Sequence, residues 1–165
     1  KPRLHANQLE NIGAIDLALE FDCASVDHCT HLSDADIQKL AHSNTVVTLL
    51  PGAEFSTRSP YPNAMKLVDA GITVAIATDC NPGSSYTTSM PFCIAVAVRE
   101  MGLSPDQALW AATRGGAKAL RNNLGTLQVG SKADFAVLAA PSFVHLAYRP
   151  GVQLIQSTYQ SGVLA

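Results

Sequence analysis

The sequence predicts an α/β fold, in which parallel strands alternate with helices over residues 1–124. Two strands, at 45–50 and 72–77, are nearly continuous apolar runs, which is typical of a parallel sheet covered on both faces. Helical patterns separate the strands, and successive strand–helix units favour crossover connections and parallel pairing. Four such units form either half of an eight-fold barrel or a small open sheet.

The first part of the chain gives the first three predicted elements. A brief extended segment ends at Leu4-His5, apolar residues of loosely helical period cover 9–21, and a short strand follows at 24–28. The segment Ser33-Asp34-Ala35-Asp36 resembles a capping box and predicts a helix to about His42.

The middle of the chain continues the alternation. The strand at 45–50 is stopped by Pro51-Gly52, and a loop rich in Pro and Ser is expected to run to Asn63. A helix at 64–70 precedes the strand at 72–77. Helices are then predicted at 90–101, from Ser104 with Pro105 at its first position, and at 117–120.

The pattern changes at residue 125, where we place a domain boundary. Short strands are expected at 126–127 and 134–138, and residues 152–164 predict a terminal hairpin. Residues 125–165 therefore form the second predicted unit of the chain.

Composition excludes several functional classes. Apolar residues make up 47% and charged residues 15% of the chain, and the net charge is -2, so no basic surface indicates nucleic acid. No apolar run reaches the roughly 18 residues of a membrane helix, and the first residues lack a secretory signal.

Four cysteines, without a CxxC pair, argue against a zinc knuckle or a thioredoxin motif. They are Cys23, Cys29, Cys80 and Cys93. We expect reduced and mostly buried thiols, which favours a cytoplasmic location. For Cys80, packing is favoured over a sensing role.

Three polar residues fall where predicted strands end: His5, His28 and Asp79. The carboxyl ends of parallel barrel strands meet at one mouth, and imidazole and carboxylate are suitable ligands for Zn²⁺ or a similar ion. A strand-end His is also often a satisfied polar residue, and an Asp there is often a turn former. The spacing alone leaves both interpretations open.

The loop from Thr78 to Ser85 contains Asn81-Pro82-Gly83, which predicts a tight turn. The N–H groups of such a turn and its Ser hydroxyls can bind a carboxylate. An ordinary turn without a ligand remains the alternative.

Several segments resemble successive motifs of the imidazolonepropionase family, within the amidohydrolase superfamily. They are Leu4-His5-Ala6-Asn7-Gln8, Val26-Asp27-His28, Leu49-Leu50-Pro51-Gly52 and Ala77-Thr78-Asp79-Cys80-Asn81-Pro82-Gly83. Residues 125–135 are similar to the superfamily's tail. The resemblance implies a fold: strands 5–8 of a (β/α)8 TIM-type barrel with their helices over 1–124, and C-terminal strands of a small β-sandwich over 125–165.

The resemblance also implies a cofactor and roles for particular residues. One divalent or trivalent metal ion, Zn or Fe, would be held by His5 and Asp79. Asp79 and His28 would be catalytic, with His28 bonded to substrate or hydroxide. Because Gln8 cannot act as a base, that duty falls to Asp79 or His28.

A small-molecule substrate follows from the same resemblance. Gln8 would touch an imidazolone ring, and Asn81, Gly83 and Ser84 would hold an acidic arm. The implied reaction is metal-dependent hydrolysis of the cyclic amide 4-imidazolone-5-propanoate to N-formimidoyl-L-glutamate in histidine degradation.

One departure from the family pattern is a missing His-x-His pair, which the family carries on its first barrel strand. The chain also does not begin with Met, so we expect a fragment whose partner is the missing N-terminal barrel half, with a homodimer as a further option. The fragment alone is expected to be inactive. The alternatives are another amidohydrolase, such as a deaminase or cyclic amidase, and a non-catalytic barrel piece that serves in interactions.

Overall fold

The computed structural model describes residues 1–165, and its central element is a four-stranded parallel sheet. The strands are β1 (Arg3–Ala6), β2 (Ser25–His28), β3 (Val46–Leu49) and β4 (Val74–Ile76), and their order in the sheet is β1-β2-β3-β4. The predicted parallel α/β arrangement is confirmed.

Seven helices of the α type and one π-helical segment follow or connect these strands in the first 124 residues. They are α1 (Ala14–Glu20), α2 (Asp34–Ala41), α3 (Pro51–Thr57), α4 (Ala64–Asp69), α5 (Met90–Glu100), α6 (Pro105–Trp110), the π segment (Ala111–Gly115) and α7 (Gly116–Ala119). None of the helices is both long and apolar enough to cross a membrane.

The helix starts at Ser33 and Ser104 are confirmed by their caps. The Ser33 hydroxyl accepts a bond from the N–H of Asp36, and the Asp36 carboxylate accepts one from the N–H of Ser33. Ser104 and Gln107 form the equivalent pair. The same Asp36 oxygen also accepts bonds from the Ser33 hydroxyl and from Asn11 Nδ2 at 2.6 Å, which ties the loop after β1 to the start of α2.

The two faces of the sheet are covered differently. One face packs against the helices, and its buried strand residues are Ala6, Val26, Val47, Leu49, Val74 and Ile76. On the other face, Val46 and Ala75 pack against Ala119 of α7. The polar residues of this second face lie beside that small apolar contact, where a site can form.

Two predicted boundaries are wrong in the first half. Helix α1 begins at Ala14 instead of residue 9, because Gly13 has φ +76° and interrupts helical geometry before it. Residues 51–57 are helix α3, where a loop was predicted. Pro51 stops β3 but also suits the first turn of a helix, where its missing N–H has no partner to lose.

Residues 125–165 contain a separate antiparallel sheet in the order β5-β6-β7. Its strands are β5 (Phe135–Leu138), β6 (Ile155–Gln160) and β7 (Val163–Leu164). The predicted terminal hairpin is confirmed: Ser161 and Gly162 both have positive φ, as a two-residue hairpin turn requires. The strand expected at 126–127 is not present, and the short helix α8 (His145–Tyr148) was not predicted.

The four cysteines are unpaired, as expected. Cys23, Cys29 and Cys93 are buried, whereas Cys80 is exposed. The preference for a packed Cys80 is therefore wrong, because its loop lies beyond the end of β4 at the surface.

The short helix predicted at 117–120 corresponds to α7, which follows the π segment without a break, so the chain is helical from Pro105 to Ala119. At Gly115 this helix approaches the edge of β4 closely. A Cβ at Gly115 would lie 2.2 Å from the carbonyl oxygen of Val74, whereas at Gly116 the nearest atom is 4.0 Å away.

We predict that Gly115→Ala lowers the free energy of unfolding by about 1–3 kcal/mol, because neither backbone can move aside without cost. Gly116→Ala is the matched control and should be neutral or stabilise by up to about 1 kcal/mol, since alanine favours helix. Urea unfolding curves measure both. Equal stabilities for the two variants would contradict the close contact.

Candidate active site

A cavity of about 450 Å³ opens along the second face of the sheet. Its polar lining comes from all four strands or the turns that follow them: Arg3, His5, Asp27, His28, Thr48 and Asp79. The lining runs from Arg3 near the strand starts to Asp79 beyond the end of β4.

Three of the predicted site residues come together in this cavity. The rings of His5 and His28 have centroids 4.4 Å apart, and His28 Nε2 lies 4.0 Å from Asp79 Oδ2. Parallel pairing explains the first contact, because Ala6 is the partner of His28 in the sheet and His5 is next to it. Their chemical roles remain predictions.

Residues in the left-handed region of backbone space lie at the end of β2, directly after β1 and three residues beyond β4. Asn7 has φ 49°, His28 71° and Asp79 49°. Asn, Asp and His are the non-glycine residues that adopt this conformation most readily, although it still costs energy. These residue types therefore allow each strand to turn sharply at the cavity.

His28 is 4% exposed, and burial lowers the pKa of its imidazole, with the nearby His5 acting in the same direction. The carboxylates of Asp79 and Asp27 oppose that change. The His28 ring is therefore held in its neutral form near pH 7. Its Nδ1 atom is buried without a hydrogen-bond partner.

Glu54 of α3 lies on the other side of His28 and was missed by the sequence analysis. Its side chain is 1% exposed, and its Oε1 atom accepts a bond from the Thr30 hydroxyl at 3.0 Å. Glu54 Oε1 is 4.0 Å from His28 Nδ1, and burial raises the pKa of the carboxyl group to about 7. The only sequence signal for Glu54 is its position as the fourth residue of a helix. That signal could be used only if α3 had been predicted.

The loop after β4 is organised by Asn81. Its Oδ1 atom accepts bonds from the N–H groups of Gly83 and Ser84, both at 2.8 Å. Its Nδ2 atom donates to the Asp79 carbonyl at 2.7 Å and lies 3.3 Å from Asp79 Oδ2. The amide thus shapes the turn and helps to orient the Asp79 carboxylate.

The other predicted substrate contacts do not line the cavity. Gln8 is half-buried in the bend after β1, and Asn81, Gly83 and Ser84 lie in the loop beyond Asp79. The N–H groups of Gly83 and Ser84 are already bonded to Asn81, so an anion bound there would compete with that side chain. Substrate binding by these four residues stays a prediction.

The predicted metal ion needs more ligands than this chain brings together. No group of three or more His, Cys, Asp or Glu side chains is arranged to hold a metal ion. Catalytic zinc sites use three protein ligands, so His5 and Asp79 could supply only part of one.

Comparison with known proteins defines the class of this chain. The model of the amidohydrolase family matches residues 3–158, so the chain belongs to that family. Among solved structures, an adenosine deaminase from Xanthomonas campestris with bound zinc has a TM-score of 0.83 at 22% identity, over 99% of this chain and 45% of that one. A triazine hydrolase variant has a TM-score of 0.84 at 19% identity, covering 98% and 42%.

The most informative relatives are imidazolonepropionases. The protein from Streptomyces avermitilis is 62% identical over 162 residues, and that from Salinispora arenicola is 64% identical over 164 residues. Each alignment covers 98% of this chain, but 39% and 42% of the respective relative. The chain therefore spans about two fifths of the length of these relatives.

We predict that Glu54 makes stability fall as the pH rises from about 4.5 to about 7. Its raised pKa means that the folded state binds the proton more tightly than the unfolded state in this range, and the effect is about 3 kcal/mol at most. Glu54→Gln should lose this dependence, measured by urea unfolding at pH 5 and pH 8.

The lowered pKa of His28 makes stability rise with pH. This contribution is present in both the unsubstituted protein and Glu54→Gln, so it cancels when the pH dependences of their stabilities are subtracted. Glu10→Gln, an exposed site, controls for the loss of one acidic residue. A pH dependence in Glu54→Gln equal to that of the unsubstituted protein would contradict the assignment.

Proposed function

We propose that the polypeptide containing residues 1–165 hydrolyses the cyclic amide 4-imidazolone-5-propanoate to N-formimidoyl-L-glutamate, a step of histidine degradation. The observation that carries this proposal is the meeting of His5, His28 and Asp79 in one cavity of an amidohydrolase chain. The identity of about 60% to imidazolonepropionases supports the choice of substrate.

The fold we infer is half of a (β/α)8 barrel over 1–124 and strands of a small β-sandwich over 125–165. Four parallel strands in sequential order support the first unit, and the antiparallel sheet supports the second. In the intact protein, a further set of strands would pair with the outer edge of β1 and with the part of the β4 edge that the helix at Gly115 leaves open. The greater length of the relatives supports a preceding half that supplies them.

Within the cavity, each residue has a distinct task in this proposal. His28 is neutral, so its imidazole can accept a proton or hydrogen-bond the attacking water. Asp79, oriented by Asn81, is the second proton acceptor. Gln8 contacts the ring of the substrate, and Asn81, Gly83 and Ser84 bind its carboxylate arm.

A single metal ion, Zn or Fe, belongs to the proposed site. His5 and Asp79 would hold it, and the remaining ligands would come from the other half of the barrel. When bound, such an ion lowers the pKa of water toward 7 and polarises a carbonyl group. A relative with bound zinc supports a divalent ion.

A cytoplasmic location and a homodimer are further proposals. The four unpaired thiols support a reducing compartment. Size-exclusion chromatography of the natural polypeptide decides whether it is a homodimer.

A deaminase is the competing enzymatic function. It is favoured by an E. coli guanine deaminase structure that is 26% identical, with a TM-score of 0.72 over 86% of this chain and 38% of that one. A non-catalytic barrel piece is the alternative from another class.

We predict that the natural polypeptide containing this chain converts 4-imidazolone-5-propanoate and that Asp79→Asn lowers kcat by about 100-fold or more, because a general base contributes at least that much. Metal content should fall in the same variant. Mass spectrometry of the product and elemental analysis of the protein measure the two effects.

Asp106→Asn, at an exposed position at the start of α6, is the control and should leave both values unchanged. Turnover of guanine or adenosine in place of the imidazolone would establish the deaminase alternative. No turnover of any of these compounds would favour the hypothesis that the chain is a non-catalytic barrel piece.

The contact between α3 and the loop after β4 gives a second prediction. A Cβ at Gly52 would lie 2.5 Å from Ser85 Oγ, and that hydroxyl donates to the Thr78 carbonyl beside Asp79. Gly52→Ala should displace the hydroxyl, release the loop and lower kcat by roughly 10-fold, as misplacement of catalytic groups does.

The double variant Gly52→Ala with Ser85→Ala separates crowding from other effects. It removes the clashing hydroxyl as well as its bond, so it should match Ser85→Ala alone. If Gly52→Ala is as active as the unsubstituted enzyme, the loop does not depend on this contact.

A further inference from the structure

The second carboxyl group beside His28 has no role in the chemistry described above. Glu54 is carried by α3, which follows β3, and its side chain is 1% exposed. It does not line the cavity that contains His5 and Asp79, so it does not face the substrate. The residue of that site that it approaches is His28, at 4.0 Å.

The imidazole of His28 lies between two acids. Its Nε2 atom is 4.0 Å from Asp79 Oδ2, and its Nδ1 atom is 4.0 Å from Glu54 Oε1. The two ring nitrogens thus face opposite groups: Asp79 belongs to the cavity and Glu54 to the interior behind it. A ring held in this way presents Nε2 to the reacting atoms.

The polar atoms on the inner side are unsatisfied, which indicates an interaction between them. His28 Nδ1 and Glu54 Oε2 are both buried without hydrogen-bond partners. Buried polar groups are nearly always bonded, because leaving them unpaired costs free energy. The carboxylate oxygen that lies 4.0 Å from Nδ1 is Oε1, and it needs a movement of about 1 Å to reach hydrogen-bond length.

Thr30 fixes the carboxyl group for this contact. Its hydroxyl donates to Glu54 Oε1 at 3.0 Å, and it is two residues from His28 in the turn after β2. The bond anchors Glu54 to the same turn that carries the histidine. Because a carboxylate oxygen can accept more than one hydrogen bond, Oε1 can keep the bond from Thr30 and also accept one from His28 Nδ1.

We propose that Glu54 is a positioning residue that holds the imidazole of His28 through Nδ1, so that Nε2 faces Asp79 and the substrate. This inference rests on the proposed hydrolase function. Glu54 touches neither substrate nor the proposed metal ligands. Its contribution is the orientation and tautomer of the ring, and Thr30 supports it from behind.

The test compares Glu54→Leu with Glu54→Gln in the natural polypeptide that contains this chain. Glu54→Leu keeps much of the side-chain volume but removes both oxygens, and it should lower kcat 10- to 100-fold, the range for residues that orient a catalytic group. KM for 4-imidazolone-5-propanoate should change less than about 3-fold, because the substrate contacts remain. Glu54→Gln keeps a hydrogen-bonding oxygen and should recover most of the loss.

A double-mutant cycle separates positioning from a structural effect. In a His28→Ala background, Glu54→Leu should lower kcat no further, because the ring that it orients is absent. Thr30→Val should show a smaller loss than Glu54→Leu in the same direction. Asp106→Asn, an exposed acid at the start of α6, should leave kcat unchanged.

Two results would overturn the proposal: an equal loss from Glu54→Leu with and without His28, or no advantage of Glu54→Gln over Glu54→Leu. Nitrogen NMR of labelled histidine provides a readout that needs no substrate. His28 should populate one tautomer in the unsubstituted protein and both in Glu54→Leu. If the unsubstituted enzyme fails to hydrolyse the imidazolone, the proposed function fails, and the tautomer ratio still decides the role of Glu54.

Discussion

Parallel pairing in matched register determines where the strand-borne polar groups of the cavity lie. His5 is opposite Asp27, which in turn is opposite Thr48, and Leu49 is opposite Ile76, so the strands end at nearly the same level. The helix layer maintains this register, because a slip of one residue would turn the apolar strand faces away from the core. The residues beyond the strand ends therefore meet without any direct bond having to draw them together.

This arrangement places ionisable groups where water is scarce. Burial favours the neutral form of both His28 and Glu54, because it lowers the pKa of the imidazole and raises the pKa of the carboxyl group. Asp79 remains partly open to solvent. A low dielectric destabilises isolated ions far more than neutral pairs. Transfer of a proton between two adjacent buried groups is therefore less costly than separation of buried charges. A site of this kind is suited to moving protons over short distances.

The strands and the caps could be predicted from the sequence because their signals are local. An apolar run such as 72–77 or the pair Ser33 and Asp36 carries the information within a few residues. The distances within the cavity could not be predicted from the sequence, since they depend on strand order and register. Helix α3 was missed because Pro51 is both a strand stop and a good first helical residue, and Glu54 was missed with it. Resemblance to a family, more than spacing, selected His5, His28 and Asp79.

A single carboxylate oxygen of Asp36 joins three donors from two separate loops: Asn11 Nδ2, the Ser33 N–H and the Ser33 hydroxyl. A substitution at any one of the three positions leaves a polar group of another without its partner. During evolution, positions 11, 33 and 36 should therefore be inherited and exchanged as a set. The conformation of the bend that carries Gln8 is thereby conserved through residues that do not line the cavity.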